Sequence, residues 1–208
     1  MLARFACWTA GGHIPMAGGF DTMNLMAMLI GLAGLVLARR HRMALPASML
    51  AMGFCLLVAM MSGSNPPITN LMPVLGSPLL CLHVTVVMMS YALFFFLMMI
   101  GIAGLISGAQ ELHRLGLLLL YPAVFLLALG IIIGAVWANI SWGSYWTWDP
   151  KEVWALITLI VYAIPLHPTL AVSRKPRAFY LYCTLAFLSV IVTYFGVNLL
   201  LGGMHAYN

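Results

Sequence analysis

Residues 142–155 read WGSYWTWDPKEVWA and set Trp142, Trp146, Trp148 and Trp154 beside Asp149 and Glu152, two of only four acids in 208 residues. Indoles at this density make a broad, flat, amphipathic shelf. Lys151, in the same segment, offers a carboxylate a compact positive charge. The chain also holds six histidines, and two imidazoles can fill both axial positions of an iron porphyrin. Haem is large, planar and mostly apolar with two carboxylates, so this inventory suits it. His83 and His205 are the candidate axial pair. Trp142, Trp146, Trp148, Asp149 and Lys151 are the candidate contacts around the ring, and His167, an ionisable residue within an apolar run, is a further candidate for a functional role.

Plainer roles compete for each residue. Tryptophan and tyrosine line both interfaces of ordinary membrane proteins, but a belt does not predict WxxxWxW followed by Asp-Pro-Lys-Glu. Asp149-Pro150, with Glu152 in the next turn, is also a helix-start signal, which leaves Asp149 open as a cap. A single interfacial histidine such as His83 or His205 needs no ligand. For His167 the alternative is a neutral imidazole bonded to a carbonyl freed by Pro165 or Pro168. His41 and His113 read as solvated or headgroup-facing, and His13 stays ambiguous.

These residues must be positioned by a membrane protein. The chain is 64% hydrophobic and 6% charged, with a mean hydropathy of +1.07, a composition too poor in charge for a soluble domain. The length suits one all-α membrane domain of about six transmembrane helices at roughly 20 residues per span. Apolar runs fall at 22–38, 44–62, 83–107, 115–139, 153–172 and 178–201. Outside them lie an outer or interfacial segment 1–21, an outer loop 63–82 with four prolines, an outer tryptophan-rich loop 140–152 and an outer tail 202–208. The first twenty residues lack the long apolar core of a signal peptide.

Arg39, Arg40, Arg42, Arg114, Arg174, Lys175 and Arg177 supply seven of the nine basic residues. They fall in alternate connections, which assigns that face to the cytoplasm. The net charge of +5 therefore reports orientation, not nucleic-acid binding. His13, His83, His205 and the tryptophan loop then share the outer face, while His41 and His113 lie inside. His167, about 14 residues or roughly 21 Å along run five, lies past mid-membrane. Cys7, Cys55, Cys81 and Cys183 form no CxxC or CxxCH, so this chain carries no redox pair and no covalent haem site.

Trp137-Ala138-Asn139 followed by WGSYWTWDPKE resembles the tryptophan-rich WWD signature of haem-handling membrane proteins. Haem-delivery (CcmC-type) members usually continue after the aspartate as an Arg-Leu-Thr-like sequence, and CcmF-type members tend toward Asp-Pro-Val-Glu-Asn. The Asp-Pro-Lys-Glu here is similar to the CcsA/ResC type, the membrane subunit of the system II cytochrome c synthase. SPLLCLHV (77–84) with Ser90-Tyr91-Ala92 resembles that family's first external histidine segment. YAIPLH (162–167) resembles its intramembrane histidine, and FGVNLLLGGMHAY (195–207) its second external one. GHIPM (12–16) resembles a segment before an early helix, so the likeness spans nearly the whole chain.

The resemblance implies a subunit of a holocytochrome c synthase (haem lyase) in the bacterial inner membrane, with the tryptophan loop and C-terminus on the periplasmic side. No catalytic residue is assigned on this chain. Haem b, bound non-covalently and transiently, would rest in an intramembrane site with His167 as one ligand. It would then reach the external site between His83 and His205, for attachment to the CxxCH of an apocytochrome c. A CcsB/ResB-type subunit would supply the missing intramembrane ligand, and thiol reductants would serve the substrate. Val153 stands where the family commonly has threonine, a small change at a helix start. Three rivals remain: CcmC-like haem delivery without ligation, a small-solute transporter subunit, and a scaffold whose partner holds the haem.

Overall fold

A computed structural model describes residues 19–39, 44–61 and 77–201 of the chain. His13, His41, His205, most of the expected outer loop 63–82 and the expected tail 202–208 lie outside the described residues. Every described regular element is helical, as expected for an all-α protein. The chain divides into two compact units, residues 1–89 and 90–208.

The first unit holds α1 (Gly19–Ala38) and α2 (Ala44–Met61), which pack on each other. Met23, Met26, Ala27 and Ile30 are buried on α1, the i, i+3, i+4, i+7 spacing of one helical face. Ser48, Ala51, Cys55 and Ala59 form the matching stripe on α2. Leu32, Leu35, Leu50 and Phe54 point outward, which is acceptable where the solvent is hydrocarbon.

Helix α3 (Pro78–Ser107) begins in the first unit and ends in the second. Its start lies five residues before the apolar run expected at 83. Leu79 N donates to Ser77 Oγ (3.3 Å) and Cys81 N to Ser77 O (3.2 Å), so Ser77 caps a helix whose first residue is proline. The cap makes residues 78–82 helical and shortens the expected loop. Gly108, in the left-handed region (φ 67°), stops the helix by donating to Gly104 O at 2.9 Å.

Helix α4 (Gln110–Trp142) follows at once. Gly116, Leu120, Ala123, Val124 and Leu127 form its buried face. Leu118, Tyr121, Phe125, Ile132 and Val136 form an exposed apolar face, again suited to lipid. In the second unit the Ser90 hydroxyl donates to Ala123 O (2.8 Å) and ties α3 to α4.

Helix α5 (Pro150–Ala163) is shorter than the run expected to reach 172. Pro165 has no N–H to extend the ladder and forces a 3₁₀ turn, Ile164–Leu166. Pro168 then holds His167 extended (φ −81°, ψ 109°). The Val161 carbonyl, four residues before Pro165, accepts from the Tyr182 hydroxyl at 2.9 Å. A short α6 (Ala171–Arg174) leads into α7 (Pro176–Ile191), which continues as a π-helical stretch, Val192–Leu201.

Among the described residues four helices are long and apolar enough to cross a membrane: Phe20–Ala38, Pro78–Ser107, Gln110–Trp142 and Pro176–Val197. The other two expected runs form the shorter helices α2 and α5. The chain is an all-α, multi-pass membrane protein.

Close packing within the second unit rests on small residues. Gly101 and Gly104 of α3 face Tyr180 and Thr184 of α7, and a Cβ at either glycine would lie 2.6 Å from them. Tyr162 of α5 stacks on Phe94, with ring centroids 3.7 Å apart. The Thr193 hydroxyl donates to Ser189 O (2.7 Å), and Thr158 Oγ1 lies 2.9 Å from it. Trp154 O is 3.2 Å from the same hydroxyl. Helix α7 is thereby fixed both to α3 and to the helix that carries the tryptophan segment.

Candidate functional site

The tryptophan segment is the connection between α4 and α5. Gly143 ends α4 in the left-handed region (φ 77°) and donates to Asn139 O at 2.9 Å, which lets the chain turn sharply out of the helix. Trp137 is buried on the last turns of α4 and meets Trp142 edge to face, with centroids 4.8 Å apart. Ser144 Oγ donates to Trp146 O (3.0 Å) and shapes the turn.

Asp149 begins α5. It is buried, its carboxylate accepts from Lys151 N (3.1 Å), and with Glu152 it forms a reciprocal capping box ahead of Pro150. Of the two roles open from sequence, the cap is the one its bonds make. Glu152 does more than complete the box. Its carboxylate also accepts from Thr147 N (2.8 Å) and Thr147 Oγ1 (3.3 Å). The sequence reading placed Glu152 only as a first-turn acid and missed this reach back into the loop. The D-x-x-E spacing was the available signal.

Trp148 is held in the left-handed region (φ 59°), the one described non-glycine residue with positive φ. Its side chain is 74% exposed. Trp146 meets it edge to face at 5.9 Å and 89°. A bulky residue seldom adopts this backbone unless its surroundings impose it, so the exposed indole is held by design of the loop and not by default. Lys151 is half-buried beside this segment. Burial pulls its ammonium below the ordinary 10.5, and the Asp149 carboxylate opposes that shift. A desolvated ammonium gains from a ligand carboxylate.

The histidines fall in different places. His83 stands on the second turn of α3, partly buried, in the first unit. His205 lies outside the described residues. His167 follows the 3₁₀ turn and is exposed. Val161 O, four residues before Pro165, accepts from the Tyr182 hydroxyl, and Ile164 O, four residues before Pro168, accepts from the His167 backbone N–H at 3.2 Å. His113 lies within 2.9 Å of Ser173 O and packs edge-on to Phe179, a structural tie between α4 and the α6 turn. No group of three His, Cys, Asp or Glu side chains gathers into a metal cluster among the described residues. The second unit therefore assembles Trp142, Trp146, Trp148, Asp149 and Lys151 in one connection, and sets His167 at a separate break.

The family described as "Cytochrome C assembly protein" matches residues 17–205. The chain is 38% identical over 213 residues to Protein NrfI of Wolinella succinogenes, an alignment covering 94% of this chain and 23% of that protein. It is 32% identical over 242 residues to cytochrome c biogenesis protein CcsA of Prochlorococcus marinus strain MIT 9312, covering 96% of this chain and 78% of that one. A second CcsA, from strain MIT 9301, is 31% identical with the same coverage. The chain thus spans under a quarter of NrfI and most of CcsA. Helices, tryptophan segment and sequence kinship agree: the chain belongs to the cytochrome c assembly protein family and is a CcsA-type cytochrome c biogenesis protein.

Proposed function

We propose that this protein holds haem b non-covalently at the outer face of the bacterial inner membrane and presents it for attachment to apocytochrome c. The observation that carries the reading is the tryptophan segment. In that loop two indoles stand edge to face, one of them largely exposed, next to a half-buried ammonium. An apolar macrocycle with carboxylate substituents is the ligand that fits a shelf with one cation at its edge.

His83 and His205 are assigned as the axial pair. This rests on their shared outer face in the alternation of basic residues and on the family resemblance. Bis-imidazole ligation leaves no open iron position and protects reduced haem from oxygen. The exposed His167 is assigned one position of a second, intramembrane site, completed by a CcsB-type subunit. Haem is substrate here. In ligation each cysteine S–H adds across one vinyl double bond, so two thioethers form without an oxidant. What this chain's residues contribute is orientation and exclusion of water. Thiol reductants keep the two cysteines as thiols.

Trp146→Ala with Trp148→Ala should lower the haem retained by the purified protein while leaving the spectrum of the remaining haem unchanged. Normal haem content in that double variant would remove the shelf from the account.

A further inference from the structure

Glu152 is not a candidate ligand, yet its carboxylate accepts three hydrogen bonds, all from the tryptophan segment. One oxygen, Oε2, receives both Thr147 N (2.8 Å) and Asp149 N (3.2 Å). These are the amides on either side of Trp148. Backbone amides turned toward one anion form a nest, a shape that a left-handed residue between them favours. Trp148, at φ 59°, is that residue. The backbone that satisfies the carboxylate is thus the backbone that projects the Trp148 indole outward and stands it against Trp146.

We propose that Glu152 is a positioning residue whose task is to set the Trp146–Trp148 pair, an inference that deepens the haem-presentation reading and takes its functional arm from it. Its charge is secondary to its shape. Glutamine keeps the same reach: its Oε1 accepts the two amides, and its Nε2 donates to Thr147 Oγ1 in place of the bond Thr147 now donates. Aspartate keeps the charge but is one methylene too short to hold both amides from the third position of the helix.

The test uses the full chain, purified in detergent without haem, and the same variants assayed in cells for holocytochrome c formation with a CcsB-type partner. The optical readout is the exciton couplet of the indole pair in far-ultraviolet circular dichroism, isolated by subtracting Trp148→Phe. Glu152→Gln should keep both the couplet and maturation at wild-type level. Glu152→Asp and Glu152→Ala should lose the couplet and reduce maturation about tenfold, the scale of one lost hydrogen bond. In a Trp146→Ala, Trp148→Ala background, Glu152→Asp should have no further effect, because the pair it positions is gone.

The proposal is overturned if Glu152→Gln is as defective as Glu152→Asp, since the charge would then act directly. It is equally overturned if Glu152→Asp keeps the couplet, or if the losses add in the background lacking Trp146 and Trp148. Should Glu152→Ala fail to fold, the Asp and Gln variants still decide. A couplet lost with maturation intact would uphold the positioning and sink the haem shelf.

Discussion

Gly104→Ala tests how α7 is seated. A Cβ at residue 104 would stand 2.6 Å from three ring carbons of Tyr180. That ring cannot swing aside freely. It is buried, with Phe179 beside it, and its hydroxyl donates to Ala109 O at 2.6 Å. Overpacking of this kind costs typically about 1–3 kcal/mol. Losing the tyrosine bond adds about 0.6 kcal/mol on the scale of bonds between membrane helices. The expected loss is about 2 kcal/mol, a shift of roughly 30-fold in the unfolding constant. The assay is SDS titration of the purified protein, with Gly53→Ala as control, since nothing lies within 4 Å of a Cβ there. A Gly104→Ala protein as stable as the Gly53→Ala control would refute the packing of α7 on α3.

Three further outcomes are expected. Asp149→Ala should lower the melting temperature through loss of a cap worth about 1 kcal/mol, and Asp149→Asn should restore it, because asparagine caps equally well. Lys151 sets a pH dependence with a defined sign. Burial lowers its ammonium below 10.5, so between the folded value and 10.5 the unfolded chain binds more protons and stability rises with pH. Lys151→Met should flatten the melting-temperature profile over that alkaline range, and an unchanged slope would place the ammonium in water. His167→Ala should change stability by no more than about 0.5 kcal/mol, since the side chain is exposed, yet remove intramembrane haem from the complex with its partner. A large stability loss would recast His167 as a structural residue.

The apolar runs of the sequence located the helices well because lipid asks only for length and hydropathy. Where local chemistry competed with hydropathy, the boundaries moved. Ser77-Pro78 started α3 five residues early, since a capped proline start leads straight into the apolar Leu79, Leu80, Cys81 and Leu82. Pro165 and Pro168 marked a break that the sequence allowed for, but not that α5 would end at Ala163 or that Tyr182 would take the carbonyl set free. In the tryptophan segment, residue types gave the Asp149 cap. Backbone geometry stayed hidden, because no periodicity encodes a left-handed Trp148 or the bond from Thr147 N to Glu152, five residues on.

The most direct measurement is the visible spectrum of the detergent-purified protein, co-expressed with a CcsB-type partner, oxidised and reduced. Wild-type protein, His83→Ala and His205→Ala would be compared with and without added imidazole. Sharp reduced α and β bands are expected in the wild type, with loss of the external haem in each variant and partial return when imidazole fills the vacant axial position. A folded, colourless wild-type complex, or both variants retaining full haem with an unchanged spectrum, would contradict the haem-presentation reading.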